Sequence, residues 1–347
     1  MDRLYMRKTI WLAAKGKPSP NPKVGAVLVR NGRVVGSGYH RRSGYPHAEA
    51  IAIKDAGSKV RGATLYTNLE PCCHYGQTPP CSVQIIKAGI KRVVIGMVDP
   101  NPVVSCRGID QLREAGIETE LAIEEERCQA LNRGYLKKIR TGLPYTIIKI
   151  ASSLDGRIAS MNGTSTWITG IEARRYTHFL RSQVDAIVVG VGTVIRDDSQ
   201  LTVRHTVGLN PARIVIDPNL KTPDNARILS REAPTYILTS EAGSSEDNRI
   251  VHLADFQPIS ILKKIAKMGF NEIIVEGGGK IFSAMIESRL FDELIIVYAP
   301  KIIGQGISFT QFRIQDFASV LNLDIVEVRR FKDDIMIRGR NVQRDSS

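Results

Sequence analysis

Aromatic residues are scarce in this sequence of 347 residues, where they make up 6% of the chain. Proteins that bind single-stranded nucleic acids without sequence preference stack the bases on aromatic side chains inside a basic groove. Here the aromatic residues are too few for such a platform, and the basic residues are spread along the whole chain. The net charge of +13 is therefore expected to attract a phosphorylated small molecule or to be simply solvated, and no nucleic-acid partner is expected.

Long hydrophobic runs are also missing. No segment approaches the roughly 20 apolar residues that a transmembrane helix needs. The apolar run 10–14, which follows several basic residues, is too short for the core of a signal peptide. We therefore expect a cytoplasmic protein with no membrane partner.

The five cysteines do not indicate a disulfide framework, because their number is odd and the sequence shows no secretion signal. Cys72, Cys73 and Cys81 lie within one short segment. This pattern predicts reduced thiols and a metal site.

The length exceeds that of a single hydrophobic core, so two domains are expected. We place the boundary after Gly142, which gives domains 1–142 and 143–347. In the first, helical and strand patterns alternate, which predicts an α/β fold with a largely parallel sheet covered on both faces. The second begins another alternating region with buried strands and is predicted to end in a hairpin over 324–339. The dipeptide Asn31-Gly32 predicts a hairpin with a type I′ turn, and a single long helix is predicted over 124–142.

The strongest chemical signal lies in the segments "HAEA" and "EPCCHYGQTPPC". A catalytic zinc ion takes three protein ligands and keeps a fourth position for water. His47 at a predicted helix start, Cys72 after a strand and Cys81 at the next helix start would converge on one ion. Glu49 would not bind the metal but would carry a proton between water and the leaving amine. This is the chemistry of zinc-dependent nucleobase deamination.

Other interpretations of this segment stay open. The usual deaminase signature has two residues between its cysteines, whereas "CHYGQTPP" separates Cys72 from Cys81. The cysteines could form a structural zinc knot in a binding module without activity, which would unfold on metal removal. The chain could also be an RNA or DNA base deaminase with an appended basic domain, which would bind tRNA with a steep salt dependence.

The first half resembles a known family in four segments, "SPNPKVGAVLV", "GYHRRSGYPHAEAIAI", "NLEPCCHYGQTPPC" and "DPNPVVSCRGI". They are similar to the deaminase half of the bifunctional deaminase–reductase of riboflavin biosynthesis. The resemblance implies a cytidine-deaminase-like α/β/α sandwich that binds Zn2+ through His47, Cys72 and Cys81, with Glu49 as proton shuttle. Cys73 falls where the family often has serine, so it is not expected to be a ligand.

The same resemblance implies which residues contact the substrate in this half. The residues that would line the pyrimidine and its phosphoribosyl arm are Asn21, His40 and His74.

The second half offers two glycine-rich turns after strands, at 188–193 and 275–282. The second turn leads into a helix, whose first backbone N–H groups can hold a phosphate. Tight packing of strand against helix is an equally good explanation of the glycines. The full G-x-G-x-x-G pattern is absent, so a Rossmann dinucleotide site is not supported.

The segments "KIASSLDGRIA", "STWITG", "GVGTVIRDDSQLTVR" and "VEGGG" resemble the reductase half of the same family. This resemblance implies a dihydrofolate-reductase-like α/β domain, with Lys149 at the hydride-transfer site beside the ribose. The residues that would contact NADPH are Ala151, Trp167, Thr193, Asp197, Gly278 and Gly279. The residues that would line the substrate are Ser165, Arg181, Leu201, Arg204 and Glu276.

Together the two resemblances cover nearly the whole chain in the expected order. They imply zinc-dependent deamination of 2,5-diamino-6-(5-phosphoribosylamino)pyrimidin-4(3H)-one. They also imply NADPH-dependent reduction of the ribosyl group of 5-amino-6-(5-phosphoribosylamino)uracil. The phosphate of this phosphorylated pyrimidine would give Arg204 a charged partner. A homo-oligomer is also expected.

Overall fold

The computed structural model describes residues 1–74, 79–102, 104–163, 168–241, 249–316 and 319–342. The chain divides into two compact units, Met1–Leu143 and Pro144–Ser347, next to the boundary predicted after Gly142. Within the described ranges, no helix combines the length and the apolar character needed to cross a bilayer. Ser165 and Trp167, two residues predicted for the reductase site, lie outside the described ranges.

The first unit is built on a sheet with the strand order β2-β1-β3-β4-β5. Its helices are α1 (Asp2–Ala13), α2 (Ala48–Ala56), α3 (Cys81–Lys87), α4 (Arg107–Glu114), α5 (Glu125–Leu131) and α6 (Arg133–Thr141). Its strands are β1 (Gly25–Arg30), β2 (Arg33–Tyr39), β3 (Thr64–Thr67), β4 (Arg92–Ile95) and β5 (Glu118–Glu120). Strands β3, β4 and β5 run parallel, whereas β1 is antiparallel to both β2 and β3.

The predicted hairpin between β1 and β2 is confirmed. Asn31 and Gly32 both have positive φ, 50° and 73°, as a type I′ turn requires of its two central residues. The right-handed twist of this turn matches that of the strands it joins.

The sheet of the first unit is covered on both faces. Leu65 and Val93 pack with residues of α2, α3 and α4. The residues next to them in the chain, Tyr66 and Val94, pack with residues of α1, α5 and α6. Because successive residues of a strand point to opposite faces, the two clusters lie on the two sides of the sheet. The predicted α/β/α sandwich is confirmed.

The prediction of one helix over 124–142 is wrong, because the helix is interrupted at Asn132. This residue has φ −105° and ψ 17° between α5 and α6. Its side-chain oxygen accepts a hydrogen bond from the Lys23 N–H at 2.8 Å, and its amide nitrogen donates to the Lys23 carbonyl at 3.0 Å. The amphipathic pattern continues through both helices, so only this long-range contact reveals the break.

The second unit is built on a sheet that has the order β11-β10-β9-β8-β12-β6-β13-β16-β15 in the described part of the chain. The helices are α7 (Ile171–Gln183), α8 (Val191–Asp197), α9 (Pro258–Lys267) and α10 (Gly279–Glu287). The strands of its first half are β6 (Tyr145–Ser153), β7 (Arg157–Ser160), β8 (Ala186–Gly190), β9 (Ala212–Ile216) and β10 (Thr235–Thr239). The remaining strands are β11 (Ile250–His252), β12 (Glu272–Gly277), β13 (Glu293–Ala299), β14 (Gly306–Ser308), β15 (Leu323–Phe331) and β16 (Asp334–Asn341).

The strands from β11 to β13 in this order run parallel to one another, and the hairpin of β15 and β16 adds an antiparallel edge. On one face, Ile147, Ile187 and Ile274 pack with Ala173 and Leu180 of α7. The carboxyl ends of β8, β12 and β6, three neighbouring parallel strands, therefore meet at one edge of the sheet. In α/β sheets this edge is where ligands bind.

Candidate active sites

The structure brings the three predicted metal ligands together in the first unit. His47 caps the start of α2, Cys72 follows β3, and Cys81 is the first residue of α3. Their ligand atoms all lie within 4.8 Å of one another. The Nδ1 atom of His47 is 3.2 Å from the sulfur of Cys81 and 3.5 Å from that of Cys72.

The chemistry of these donors fits Zn2+. The hydrogen bond from the Cys81 thiol, together with His47 and the Cys81 backbone N–H at 3.4 Å, lowers the pKa of Cys72 to about 4. The same hydrogen bond and burial raise the pKa of Cys81. Two sulfur atoms, one of them from a thiol with a lowered pKa, and an imidazole form an S, S, N set that zinc prefers. The sulfur of Cys73 lies 4.0 Å from the Val104 carbonyl oxygen and is not in the cluster.

Glu49 lies beside the cluster as the second residue of α2. Its side chain is 3% exposed, and one carboxyl oxygen is 3.5 Å from the sulfur of Cys81. Burial raises the pKa of this carboxyl group. A buried carboxyl group at the edge of a metal site has the position and the environment of a general acid and base.

A cavity of about 490 Å³ opens next to Glu49 and the metal ligands. The residues predicted to contact the substrate, Asn21, His40 and His74, all line it. The Nδ1 atom of His40 lies 3.2 Å from the Pro46 carbonyl oxygen, so it must donate, which leaves Nε2 to accept from the Asn21 amide at 3.1 Å. Burial lowers the pKa of His40, in keeping with this neutral ring.

The sequence analysis missed two buried acids of this cavity, Glu70 and Asp99. Glu70 accepts hydrogen bonds from four backbone N–H groups between Asp99 and Ile109, at 3.0 to 3.4 Å. Asp99 accepts a hydrogen bond from the Tyr135 hydroxyl at 2.9 Å. Both acids follow the carboxyl ends of neighbouring parallel strands, β3 and β4, and this position is the signal that could have identified them.

A second cavity, of about 310 Å³, lies in the other unit at the carboxyl ends of β6, β8 and β12. The predicted residues that line it are Lys149, Ala151, Arg181, Thr193, Asp197, Arg204, Glu276 and Gly278. Two other predicted residues are not among those that line this cavity. The side chain of Leu201 packs in the hydrophobic core, and Gly279 is the first residue of α10.

The charges of this second cavity are organised around one buried ion pair. Arg181 donates from Nε and Nη2 to the two carboxyl oxygens of Glu276, at 2.8 and 2.7 Å, and from Nη1 to the Thr202 carbonyl at 3.1 Å. Although burial opposes ionisation, Arg181 holds the pKa of Glu276 below its usual value. Burial lowers the pKa of Lys149, which forms no ion pair among the described residues.

The glycines of the two turns allow a close approach of the segments around the cavity. A Cβ atom on Gly277 would lie 2.9 Å from the Thr193 hydroxyl oxygen, and one on Gly190 would lie 2.8 Å from Ile281. This close approach at Gly190 and Gly277 supports tight packing, one of the two explanations considered from the sequence. It also places the N-terminus of α10, where helix N–H groups are exposed, beside Thr193. This arrangement fits the phosphates of a nicotinamide cofactor.

His178 is a further cavity residue that the sequence analysis missed. It precedes Arg181 by one helical turn on α7, and residues three apart share one face of a helix. That spacing is the signal that could have identified it.

The comparisons with known proteins agree on one family. Residues 144–337 match the profile of the RibD C-terminal domain, and residues 1–97 match that of the cytidine and deoxycytidylate deaminase zinc-binding region. The riboflavin biosynthesis protein RibD of Aquifex aeolicus is 40% identical over 347 residues, which cover 97% of this chain and 98% of that protein. The Escherichia coli RibD is 40% identical over 325 residues, which cover 87% of this chain and 89% of that protein.

Solved structures extend this likeness to both units. The crystal structure of a diaminohydroxyphosphoribosylaminopyrimidine deaminase/5-amino-6-(5-phosphoribosylamino)uracil reductase from Thermotoga maritima aligns with a TM-score of 0.89 at 35% identity, over 98% of each chain. RibD from Acinetobacter baumannii aligns with a TM-score of 0.90 at 36% identity, over 99% of each chain.

Proposed function

The chain belongs to the RibD family of riboflavin biosynthesis proteins, and on that premise we propose the substrate and the acting residues for each of its two activities. It is a bifunctional deaminase and reductase. The proposed first substrate is 2,5-diamino-6-(5-phosphoribosylamino)pyrimidin-4(3H)-one. The proposed second substrate is the product of that step, 5-amino-6-(5-phosphoribosylamino)uracil.

One observation carries the proposal for the first step, namely that the ligand atoms of His47, Cys72 and Cys81 lie within 4.8 Å of one another beside the buried carboxyl group of Glu49. These three side chains would hold Zn2+, which when bound supplies a Lewis acid that makes water a better nucleophile. The water oxygen would form a bond to the ring carbon that bears the exocyclic amine, and one water proton ends on the adjacent ring nitrogen. Glu49 would take the other proton from the water and pass it to the exocyclic amine. The bond from the ring carbon to that nitrogen then breaks, and ammonia leaves.

Asn21 and His40 would position the pyrimidine in this step. Their mutual hydrogen bond of 3.1 Å fixes the orientation of the imidazole ring at the cavity wall. The open cavity beside the donor cluster argues for a catalytic site over the structural zinc knot, because a structural site is closed by its protein ligands.

The proposed second step takes place in the cavity of the other unit. A nicotinamide cofactor, when bound, supplies the hydride that reduces C1′ of the ribosyl group. Lys149 would orient the sugar oxygen and balance the negative charge that develops as the ring opens. Glu276, held by Arg181 in a two-point ion pair, would line the substrate.

We propose NADPH as the nicotinamide cofactor. Cationic residues of the described lining outnumber acidic ones: they are Lys149, Arg174, Arg181, Arg196 and Arg204 against Asp197 and Glu276. A cationic cavity favours ligands with more phosphate groups. The residues that would hold the cofactor are Ala151, Thr193, Asp197, Gly278 and Gly279.

The experiment that tests both steps follows two signals in one mixture. The full-length protein is loaded with zinc and incubated with the diaminopyrimidine substrate and NADPH, while ammonia release and the absorbance of NADPH are recorded. We expect ammonia first and NADPH consumption after it. An active deaminase that accepts bases in tRNA but not this substrate would instead support the nucleic-acid deaminase considered from the sequence.

A cytoplasmic homo-oligomer completes the proposal. None of the five cysteines forms a disulfide bond, which suits a reducing compartment. The edge strand β15 exposes Ile325 and Val328, at 51% and 65%, and exposed apolar edge strands are usually covered. Light scattering on the purified protein measures the oligomeric state directly.

A further inference from the structure

His178 is a buried histidine of the reductase cavity to which neither the sequence motifs nor the proposed reaction assigns a role. The residue is 5% exposed and lines the cavity together with Arg181 and Arg204. The ring of His205 packs edge-on against it, with the ring centroids 4.6 Å apart. The imidazole therefore has a fixed position.

The hydrogen bonds of His178 determine which nitrogen carries the proton. The backbone N–H of Arg204 donates to Nδ1 at 3.1 Å. Because Nδ1 accepts, the neutral ring must carry its proton on Nε2. Burial, followed by the charges of Arg181 and Arg204, lowers the pKa of His178 to about 4, so the ring is neutral near pH 7. Among the described residues, Nε2 has no hydrogen-bond partner.

The neighbouring Arg204 also has unused donors. Its Nη1 atom donates to the side chains of Gln200 and Thr202, at 3.0 and 3.1 Å. Its Nε and Nη2 atoms have no partner in the described part of the chain, and no acid pairs with it there. Arg181, by contrast, is neutralised by Glu276. At this part of the cavity wall, the uncompensated cation Arg204 thus lies next to the neutral N–H donor of His178.

We propose that His178 is a substrate-binding residue of the reductase site, which donates its Nε2–H to a phosphate oxygen of the phosphoribosyl arm beside Arg204. This inference rests on the proposed function, since it takes the phosphorylated substrate from it. The neutral imidazole adds a directed hydrogen bond without adding a further positive charge next to Arg181 and Arg204. The backbone bond to Nδ1 holds the ring in the tautomer that can donate.

Two substitutions test the roles of the two ring nitrogens of His178 separately. In His178→Gln, the side-chain amide reaches the position of Nε2 and can still donate into the cavity, but the acceptor for the Arg204 N–H is lost. In His178→Asn, the amide oxygen can replace Nδ1 as that acceptor, but no donor reaches the cavity. The binding proposal predicts that the Asn variant is impaired and that the Gln variant is largely rescued. A purely structural role predicts the reverse.

The binding test uses the zinc-loaded, full-length protein with ribose 5-phosphate as the probe and ribose as the control, in a calorimeter. A hydrogen bond to a charged group is worth about 1.5–3 kcal/mol, so we expect Kd for ribose 5-phosphate to rise at least roughly tenfold in His178→Asn. The KM for the uracil substrate should rise with it, while kcat changes less. In the wild-type protein, the 15N resonance of Nε2 should shift when ribose 5-phosphate is added.

The results distinguish this inference from the proposed function. It is overturned if ribose 5-phosphate does not bind, if His178→Asn binds it as the wild type does, or if His178→Gln is the more impaired variant. If ribose 5-phosphate binds as expected but the wild-type protein does not reduce the uracil substrate, the proposed function fails and the phosphate contact stands.

Discussion

Replacing Glu70 by glutamine tests how the deaminase cavity is held together. The two oxygens of this 3% exposed carboxylate accept four backbone hydrogen bonds. Asp99 and Cys106 donate to one oxygen at 3.2 and 3.1 Å, and Gly108 and Ile109 donate to the other at 3.0 and 3.4 Å. The Glu70 side chain therefore anchors both Asp99, which lines the cavity, and the start of α4, in addition to the Tyr135–Asp99 hydrogen bond.

The expected loss of stability follows from the number of hydrogen bonds that the glutamine amide cannot accept. In Glu70→Gln, the side chain keeps its volume and one oxygen, but an NH2 group faces two of the N–H donors. Each buried N–H left without an acceptor costs about 1–3 kcal/mol, so we expect the free energy of unfolding to fall by about 2–6 kcal/mol. Deamination should fall as well, because Asp99 and Asn101 line the cavity.

Hydrogen exchange on the zinc-loaded, full-length protein measures this effect locally. A loss of about 2 kcal/mol corresponds to about 30-fold lower protection at the amides of Asp99, Cys106, Gly108 and Ile109. The control is Glu114→Gln, which changes an exposed glutamate on α4 and should leave protection unchanged. If the four amides of Glu70→Gln exchange as slowly as those of the wild type, this carboxylate does not anchor Asp99 and the start of α4.

The remaining predictions concern the two reactions. Cys72→Ser and Cys81→Ser should each lose zinc, as measured by atomic absorption, while Cys73→Ser should retain both zinc and deamination; zinc loss in the Cys73 variant would mean that the wrong thiol was assigned. Glu49→Gln should keep its zinc but stop releasing ammonia, because an amide of the same volume cannot transfer the proton, and near-normal ammonia release would remove Glu49 from the mechanism. Lys149→Ala and Lys149→Arg should both strongly reduce NADPH consumption and let the deaminated intermediate accumulate in a chromatographic assay, because a planar guanidinium does not replace a point charge. A parallel fall in ammonia release would contradict the assignment of the two reactions to separate sites.

Local sequence patterns were sufficient to predict most of the fold. The alternation of helices and strands and the Asn31-Gly32 turn depend on contacts between residues that are close in the chain. The same holds for the start of α2 at His47 and of α3 at Cys81. The interruption at Asn132 was missed because its cause, the backbone of Lys23, lies 109 residues away.

The sequence was sufficient to predict the chemistry of a site only where the residues concerned belong to short motifs. The spacing of His47, Glu49, Cys72 and Cys81 indicated a metal centre with an adjacent acid, because helix and strand ends place such residues predictably. Tertiary structure alone decided that Glu70 binds amides 29 to 39 residues further along the chain.

In the reductase cavity, too, the sequence could not predict contacts between residues that lie far apart in the chain. Arg181 is neutralised by Glu276, 95 residues away, while Arg204, beside the ring of His178, has donors without a partner in the described ranges. The sequence supplied the arginines and the histidine, but it did not indicate which cation is paired or which imidazole nitrogen carries the proton. The pairing of the cations and the tautomer of the imidazole depend on which side chains the packed sheet and helix bring within hydrogen-bond distance. The spacing of residues in the sequence does not show which side chains these are.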